Sequence, residues 1–271
     1  MDKKSLLQWQ MDAGVDEAVG EEPVNHFSIP SPSEGECQGG GQPSSKPHPL
    51  PPPSRGGSNS KPLHHSPSAA AAIARQAADG CETLAKLEAA VRGFDGCAIK
   101  KTASKTVFAD GNPKCTVMVI GEAPGAQEDV QGIPFCGPSG KLLDAMFATI
   151  GLTRPENLYI SNTVFWRPPG NRQPTPEETA ACLPFVEKHI ALIAPKLLVL
   201  SGGTATTTLL NKDISISKLR GKTYDYTNPY LASPVPVMVT YHPSYLLRSP
   251  GQKRLAWADM LMVKDFLSQN Q

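Results

Sequence analysis

The stretch CTVMVIGEAPG, residues 115–125, decides the architecture. Its first six residues, Cys115 to Ile120, form a short continuous apolar run, the signature of a strand covered on both faces. Gly121-Glu122-Ala123-Pro124-Gly125 then ends the run as a loop, in which two glycines and a proline let the backbone lie close to a ligand. Working outward, three further runs read as strands: LYISNTV at 158–164, KLLVLSG at 196–202 and VPVMVTY at 235–241. Helical patterns separate them. Residues 139–150 place Leu142, Leu143, Met146 and Ile150 on one side. Residues 176–194 start from Thr175 as N-cap, with Pro176 first in the helix and Glu178 completing a capping box. Residues 203–210 and 251–268 form two more helices. Upstream, residues 69–92 read as one helix, with Ile73, Ala77, Leu84, Leu87 and Val91 on one face and Gly80 as a weak point. A hairpin follows, with Asp110-Gly111 as its turn. Strands alternating with helices predict an α/β fold, a three-layer α/β/α sandwich around a central four-stranded parallel sheet.

Composition divides the chain further. Residues 30–68 hold ten of the 27 prolines and six of the 23 glycines, interspersed with serines. Such a segment buries too little apolar surface to offset its ordering entropy. The expected organisation is a short helical segment at 1–22, a disordered linker at 23–68 and one domain at 69–271. The net charge is +1, yet residues 201–271 carry eight Lys/Arg against four Asp/Glu, a local excess that suits a DNA partner, although a solvated basic face is the more common source of such an excess. No apolar run reaches membrane-spanning length, and no signal pattern opens the chain. None of the six cysteines forms CxxC, so a reducing, cytoplasmic compartment of bacterial type is expected.

The polar residues at strand ends carry the chemistry, because ligands of parallel sheets collect there. GEAPGAQEDVQGIPFCG (121–137) has neither the GxGxxG dinucleotide fingerprint nor a Walker GK[ST]. It does set Glu122, Glu128 and Asp129 around one loop. Asn162 ends the second strand; a carboxamide offers one acceptor beside two donors, which matches the N3–H and O4 of uracil and mismatches cytosine. WRPPGNRQP (166–174) is a stiffened loop whose Arg167 and Arg172 can hold DNA phosphates; alternatively Arg167 simply pairs with a carboxylate. YHPSYLLRSP (241–250) places His242 directly after the fourth strand, followed by Tyr245, Leu246, Leu247 and Arg248. Apolar wedges beside an arginine are how proteins enter a duplex. The other histidine of the domain, His189, reads as a surface or core-edge residue of its helix.

In this order and spacing, GEAPGxxED, GxPFxG, N-x-x-x-x-RPPxNR and HPxYLLR resemble the family-4 uracil-DNA glycosylases, from about Cys97 to Lys264. The resemblance implies a repair enzyme that flips uracil out of DNA and hydrolyses its N-glycosidic bond. It implies that Phe135 stacks on the flipped base, Asn162 reads its edge, His242 stabilises charge developing on O2, and Gly121 and Glu122 lie beside the sugar. Where a related family carries a water-activating aspartate, this chain has Ala123, which leaves Glu122 as the nearest carboxylate. Leu246, Leu247 and Arg248 match the loop that probes DNA. No lysine stands in these motifs, so hydrolysis without strand cleavage is expected. The family usually holds a [4Fe–4S] cluster on four cysteines. Here Cys97 and Cys182 match two positions, while Phe94 and Trp166 occupy the others, so no cluster is expected. The expected partner is uracil-containing DNA, bound by a monomer, with residues 1–22 open to a protein partner. Two other readings compete: a non-catalytic module that binds uracil or DNA, and a hydrolase acting on free nucleosides.

Overall fold

The computed structural model describes residues 69–212 and 214–270. The expected helix at 1–22 and linker at 23–68 lie outside the described residues. The sheet has six strands: β1 (Asp110–Gly111), β2 (Val117–Gly121), β3 (Leu158–Asn162), β4 (Leu197–Ser201), β5 (Thr223–Tyr226) and β6 (Val235–Thr240), in the order β1-β3-β2-β4-β6-β5. The inner four, β3-β2-β4-β6, run parallel as the sequence predicts. Every residue of β2, β3 and β4 is buried, which is why these strands read as continuous apolar runs rather than alternating ones.

Two antiparallel edges extend this core. Asp110-Gly111 is not a hairpin turn; it pairs with Ile160 and Tyr159 as a two-residue edge strand. Gly111 has φ +107°, and a Cβ there would fall 2.3 Å from the Leu158 carbonyl oxygen. The glycine therefore serves a close backbone approach to β3. β5 alternates exposed with more buried residues, the pattern of an edge.

Period-two alternation along the inner strands assigns side chains to the two faces. Met118, Ile120, Leu198, Leu200, Val237 and Val239 face one core. It is closed by α1 (Ala69–Asp79), α2 (Leu84–Gly93) and the long α5 (Pro176–Ile193), with help from α6 (Gly203–Leu210). Val117, Val119, Leu197, Val199 and Met238 face the other. That side is closed by α4 (Pro138–Ala148), α8 (Pro243–Arg248) and α9 (Lys253–Gln269). The short helices α3 (Ala126–Gln131) and α7 (Ile216–Leu219) lie in the connections. The result is the expected three-layer sandwich.

Residues 69–92 form two helices, not one. The break follows Asp79, and Thr83 recaps the chain by accepting from the Lys86 amide at 3.2 Å. With the break, the face that packs is Ala74 and Ala78 in α1; Ile73, expected inward, is 58% exposed. The N-terminus of α5 is the capping box read from sequence. Thr175 Oγ1 accepts from the Glu178 amide at 3.2 Å, and the Glu178 carboxylate accepts from the Thr175 amide at 2.8 Å.

Candidate functional site

Strand register brings the site together. Gly121 pairs with Asn162 and Ser201 with Thr240, so β2, β3, β4 and β6 end along one edge of the sheet. The loops leaving that edge enclose a cavity of about 530 Å³ lined by Glu122, Phe135, Asn162, His242, Tyr245 and Arg248, among others. A larger cleft of about 720 Å³, bounded by Asp110, Asp144, Leu152 and Arg154, shares none of these residues. Both of its carboxylates are already paired with Arg154, at 2.8 Å each.

Phe135 owes its position to contacts that sequence reading did not find. Its φ is +52°, a left-handed conformation that a non-glycine residue holds only under constraint. Arg154 supplies the constraint by donating to the carbonyls of Pro134 at 2.9 Å and Phe135 at 2.6 Å. Gly140 packs so closely below that a Cβ would lie 1.6 Å from the Phe135 carbonyl oxygen. A second brace is Glu128. Its carboxylate accepts from the amides of Gly125 at 3.1 Å and Gly137 at 2.9 Å, tying the GEAPG loop to the IPFCG loop. Asp129, the third carboxylate of that loop, does not face the cavity. It is buried and accepts from the amides of Ser104 and Lys105.

Phe135, Asn162 and His242 do converge. A Cβ on Gly121 would fall 2.4 Å from Phe135 Cζ and 2.5 Å from Asn162 Oδ1, so ring and carboxamide meet over a residue without a side chain. The rings of Phe135 and His242 have centroids 5.4 Å apart at 35°. Asn162 is 1% exposed, and its Oδ1 is buried with no hydrogen-bond partner. An orphaned buried acceptor costs about 1–3 kcal/mol, a cost that a ligand N–H would relieve.

His242 caps α8, and its Nδ1 accepts from the Ser244 amide at 3.2 Å with Ser244 Oγ at 2.7 Å. Burial, and then the Arg248 charge, push its pKa down to about 4, partly opposed by Glu128. A neutral ring whose Nδ1 accepts carries its proton on Nε2. His242 is therefore a neutral N–H donor at physiological pH. Glu122 is held at both ends: its backbone carbonyl accepts from Thr163 Oγ1 and its carboxylate from Thr204 Oγ1, each at 2.6 Å.

The residues expected to contact DNA separate into groups. Arg172 makes a two-pronged ion pair with Glu178 at 2.8 and 2.6 Å. Arg167 donates to Asn171 Oδ1 at 2.7 Å. Leu246 is a correction: it is fully buried in the second core and is not available to enter a duplex. The one-turn geometry of α8 turns Leu247, 44% exposed, outward instead. Tyr245 packs on Tyr241 with centroids 5.1 Å apart. His189, expected near the surface, is wholly buried; it sits 2.9 Å from the Tyr159 hydroxyl and stacks on Phe108 at 4.4 Å.

Away from the cavity, the Cys182 thiol donates to Cys97 Sγ across 3.9 Å, and both are buried. This hydrogen bond, with burial, pushes the Cys182 pKa up; received by Cys97, it holds that one down. Phe94 meets Phe185 edge-on at 5.1 Å, and Trp166 is buried with its Nε1 donating to Thr106 Oγ1 at 3.0 Å. Among the described residues no group of three or more His, Cys, Asp or Glu side chains is placed to hold a metal ion. Nor is any described helix long and apolar enough to cross a membrane.

Comparison with known proteins agrees with this geometry. The family model for the uracil DNA glycosylase superfamily matches residues 108–261. The type-4 uracil-DNA glycosylase of Saccharolobus solfataricus is 39% identical over 66% of this chain and 83% of its own length. That of Thermotoga maritima is 37% identical, over 65% and 91%. A type-5 uracil-DNA glycosylase from Thermus thermophilus is similar over a shorter stretch, 33% identical across 37% of this chain and 52% of that one. A strand-end pocket built from the matched motifs, and similarity of this extent, place the chain in the type-4 branch of the uracil-DNA glycosylase superfamily.

Proposed function

We propose that this chain hydrolyses the N-glycosidic bond of a uracil nucleotide flipped out of DNA, with the roles below. The observation that carries the assignment is the buried, unpartnered Oδ1 of Asn162, beside Phe135 and facing the same cavity as the His242 ring. Uracil N3–H supplies the missing donor, whereas cytosine N3 would set acceptor against acceptor. Stacking on Phe135 offsets part of the few kcal/mol that extrusion costs. As C1′–N1 breaks, the bonding pair moves onto the base and charge grows on O2. The Nε2–H of His242 meets that charge without changing its own protonation state. Glu122 orients the water that attacks C1′ by accepting its hydrogen bond and then takes up its proton, which leaves a neutral C1′ hydroxyl as the uracil anion departs. Leu247 and Arg248, at the outer end of α8, approach the duplex.

The test is a strand carrying one uracil, incubated with the full chain and then treated with alkali. Cleavage at the uracil after alkali, and none before it, is expected. Tight binding with no cleavage would instead favour a non-catalytic module, and equal turnover of free deoxyuridine a nucleoside hydrolase.

We propose further that this chain works without a [4Fe–4S] cluster. A cubane needs four thiolates in the usual arrangement. Here two thiols hydrogen-bond to one another, and two buried aromatic side chains, Phe94 and Trp166, occupy the sequence positions of the other two ligands in the motif. Protein purified without oxygen is expected to carry no stoichiometric iron or acid-labile sulfide. One cluster per chain would overturn this reading while leaving the glycosylase assignment intact.

A further inference from the structure

Thr204 stands on an element that neither the motifs nor the strand-end loops single out. It is the second residue of α6, which follows β4, yet its hydroxyl reaches across to Glu122, which follows β2. The distance from Thr204 Oγ1 to Glu122 Oε2 is 2.6 Å, short for a neutral donor on a carboxylate and of the charge-assisted kind. Gly202 precedes the helix at φ +101°, and a Cβ there would lie 3.1 Å from His242 Cβ. The same turn that launches Thr204 thus packs directly under the catalytic imidazole.

From these contacts we infer that Thr204 is a positioning residue for the glycosylase reaction, holding the Glu122 carboxylate in the one orientation that presents an oxygen to the attacking water. The inference rests on the water-orienting role proposed for Glu122. The physical case has three parts. A glutamate side chain has three rotatable torsions, and one hydroxyl bond on Oε2 removes most of that freedom. The Thr163 hydroxyl fixes the backbone of the same residue at 2.6 Å, so both ends of Glu122 are held. The carboxylate also lies against the first turn of a helix, where amide N–H groups favour negative charge. A water-orienting group must be placed to within a fraction of an ångström to be effective, and the hydroxyl supplies that placement.

The test uses the full chain on uracil-containing oligonucleotide under single-turnover and steady-state conditions. Thr204→Val keeps the branched shape and removes the hydroxyl. The expected result is a roughly ten- to hundredfold lower kcat, the scale of one lost hydrogen bond to a charged group, with KM and melting temperature unchanged. Thr204→Ser should restore most of the rate. Thr207→Val, the same exchange at an exposed position one turn on, should do nothing. Combined with Glu122→Ala, Thr204→Val should add no further loss, since both act through one carboxylate. Wild-type turnover in Thr204→Val, or equal losses in the Val and Ser variants, would overturn the inference. Wild-type turnover in Glu122→Ala would overturn the assignment of Glu122 itself, and additive losses would show that Thr204 acts elsewhere.

Discussion

At the scale of single residues, the proposed roles depend on polar atoms that their protein neighbours leave open, such as the unpartnered Asn162 Oδ1. His242 shows how this is arranged. Its Nδ1 is occupied by Ser244, and burial keeps the ring neutral down to about pH 4, which leaves Nε2–H as the group facing the cavity. The same side chain begins α8, so replacing it has two separable consequences. His242→Asn keeps a good helix N-cap, but its shorter amide no longer reaches the place where the imidazole Nε2–H stood. We expect excision to fall roughly 10²- to 10³-fold, as for loss of one preorganised donor, with a melting temperature close to that of the wild type. His242→Ala should lose the same activity and in addition about 1 kcal/mol of stability for the missing cap. Single-turnover excision and thermal unfolding of both variants check this. Undiminished excision by either would remove His242 from the mechanism. Asn162 was legible in the sequence for the same reason that it is useful, since a carboxamide ending an apolar strand has no apolar role there. The roles of Arg154, Glu128 and Ser244 were not legible, although Glu128 was read as part of its loop. Each acts on backbone groups or on another side chain, and that dependence appears only once the loops are folded.

At the scale of elements, α8 carries the main reassignment. The run Tyr245-Leu246-Leu247-Arg248 reads as one exposed wedge, but a helix cannot turn adjacent leucines to the same side. Leu246 packs into the core with Leu143, Met260 and Val263, and Leu247 is left outside. Leu246→Ala should therefore cost about 2–5 kcal/mol of stability, the range for a buried leucine truncated in a tight core. Leu247→Ala should leave stability within about 0.5 kcal/mol. Its effect should fall on excision from duplex DNA more than from single strands, because only the duplex has a gap to be filled when the base leaves. Urea unfolding and paired single- and double-strand assays distinguish the two; equal effects on both substrates would deny Leu247 a wedge role. The four inner strands were legible because burial on both faces writes itself as an uninterrupted apolar run. β5 was not, since Thr223-Tyr224-Asp225-Tyr226 is an edge and its exposed positions are polar. The break between α1 and α2 was foreshadowed by Gly80. That Ile73 would be left outside was not, because the break changes which face of the first half packs.

At the scale of the whole molecule, the sandwich closes over two histidines, and this gives its stability a definite dependence on pH. His242 titrates at about 4, mainly because it is buried. His189, wholly enclosed between Phe108 and Tyr159, is driven by burial to about 3. In the unfolded chain both would titrate near 6.5. Between those limits the unfolded state binds protons that the native state refuses, so stability must rise with pH there and fall as the solution is acidified. Each histidine contributes a slope approaching roughly 1.4 kcal/mol per pH unit. The effect is fully expressed only below about pH 6 and is absent above 7. Asp259 pulls the other way: burial, the largest cause, raises its pKa above 3.8 despite the Arg220 ion pair, so just above that value the native state holds a proton that the unfolded chain has lost, which opposes the histidines. Urea unfolding at pH 7.5 and pH 5 should show the loss directly. His189→Gln, with an amide for the Tyr159 hydroxyl to bond, should be less stable at pH 7.5 yet show a shallower decline on acidification. A decline as steep as that of the wild type would mean that the enclosed imidazole already carries a proton in the native core, and the packing of Phe108 flat against it would then need a different physical basis.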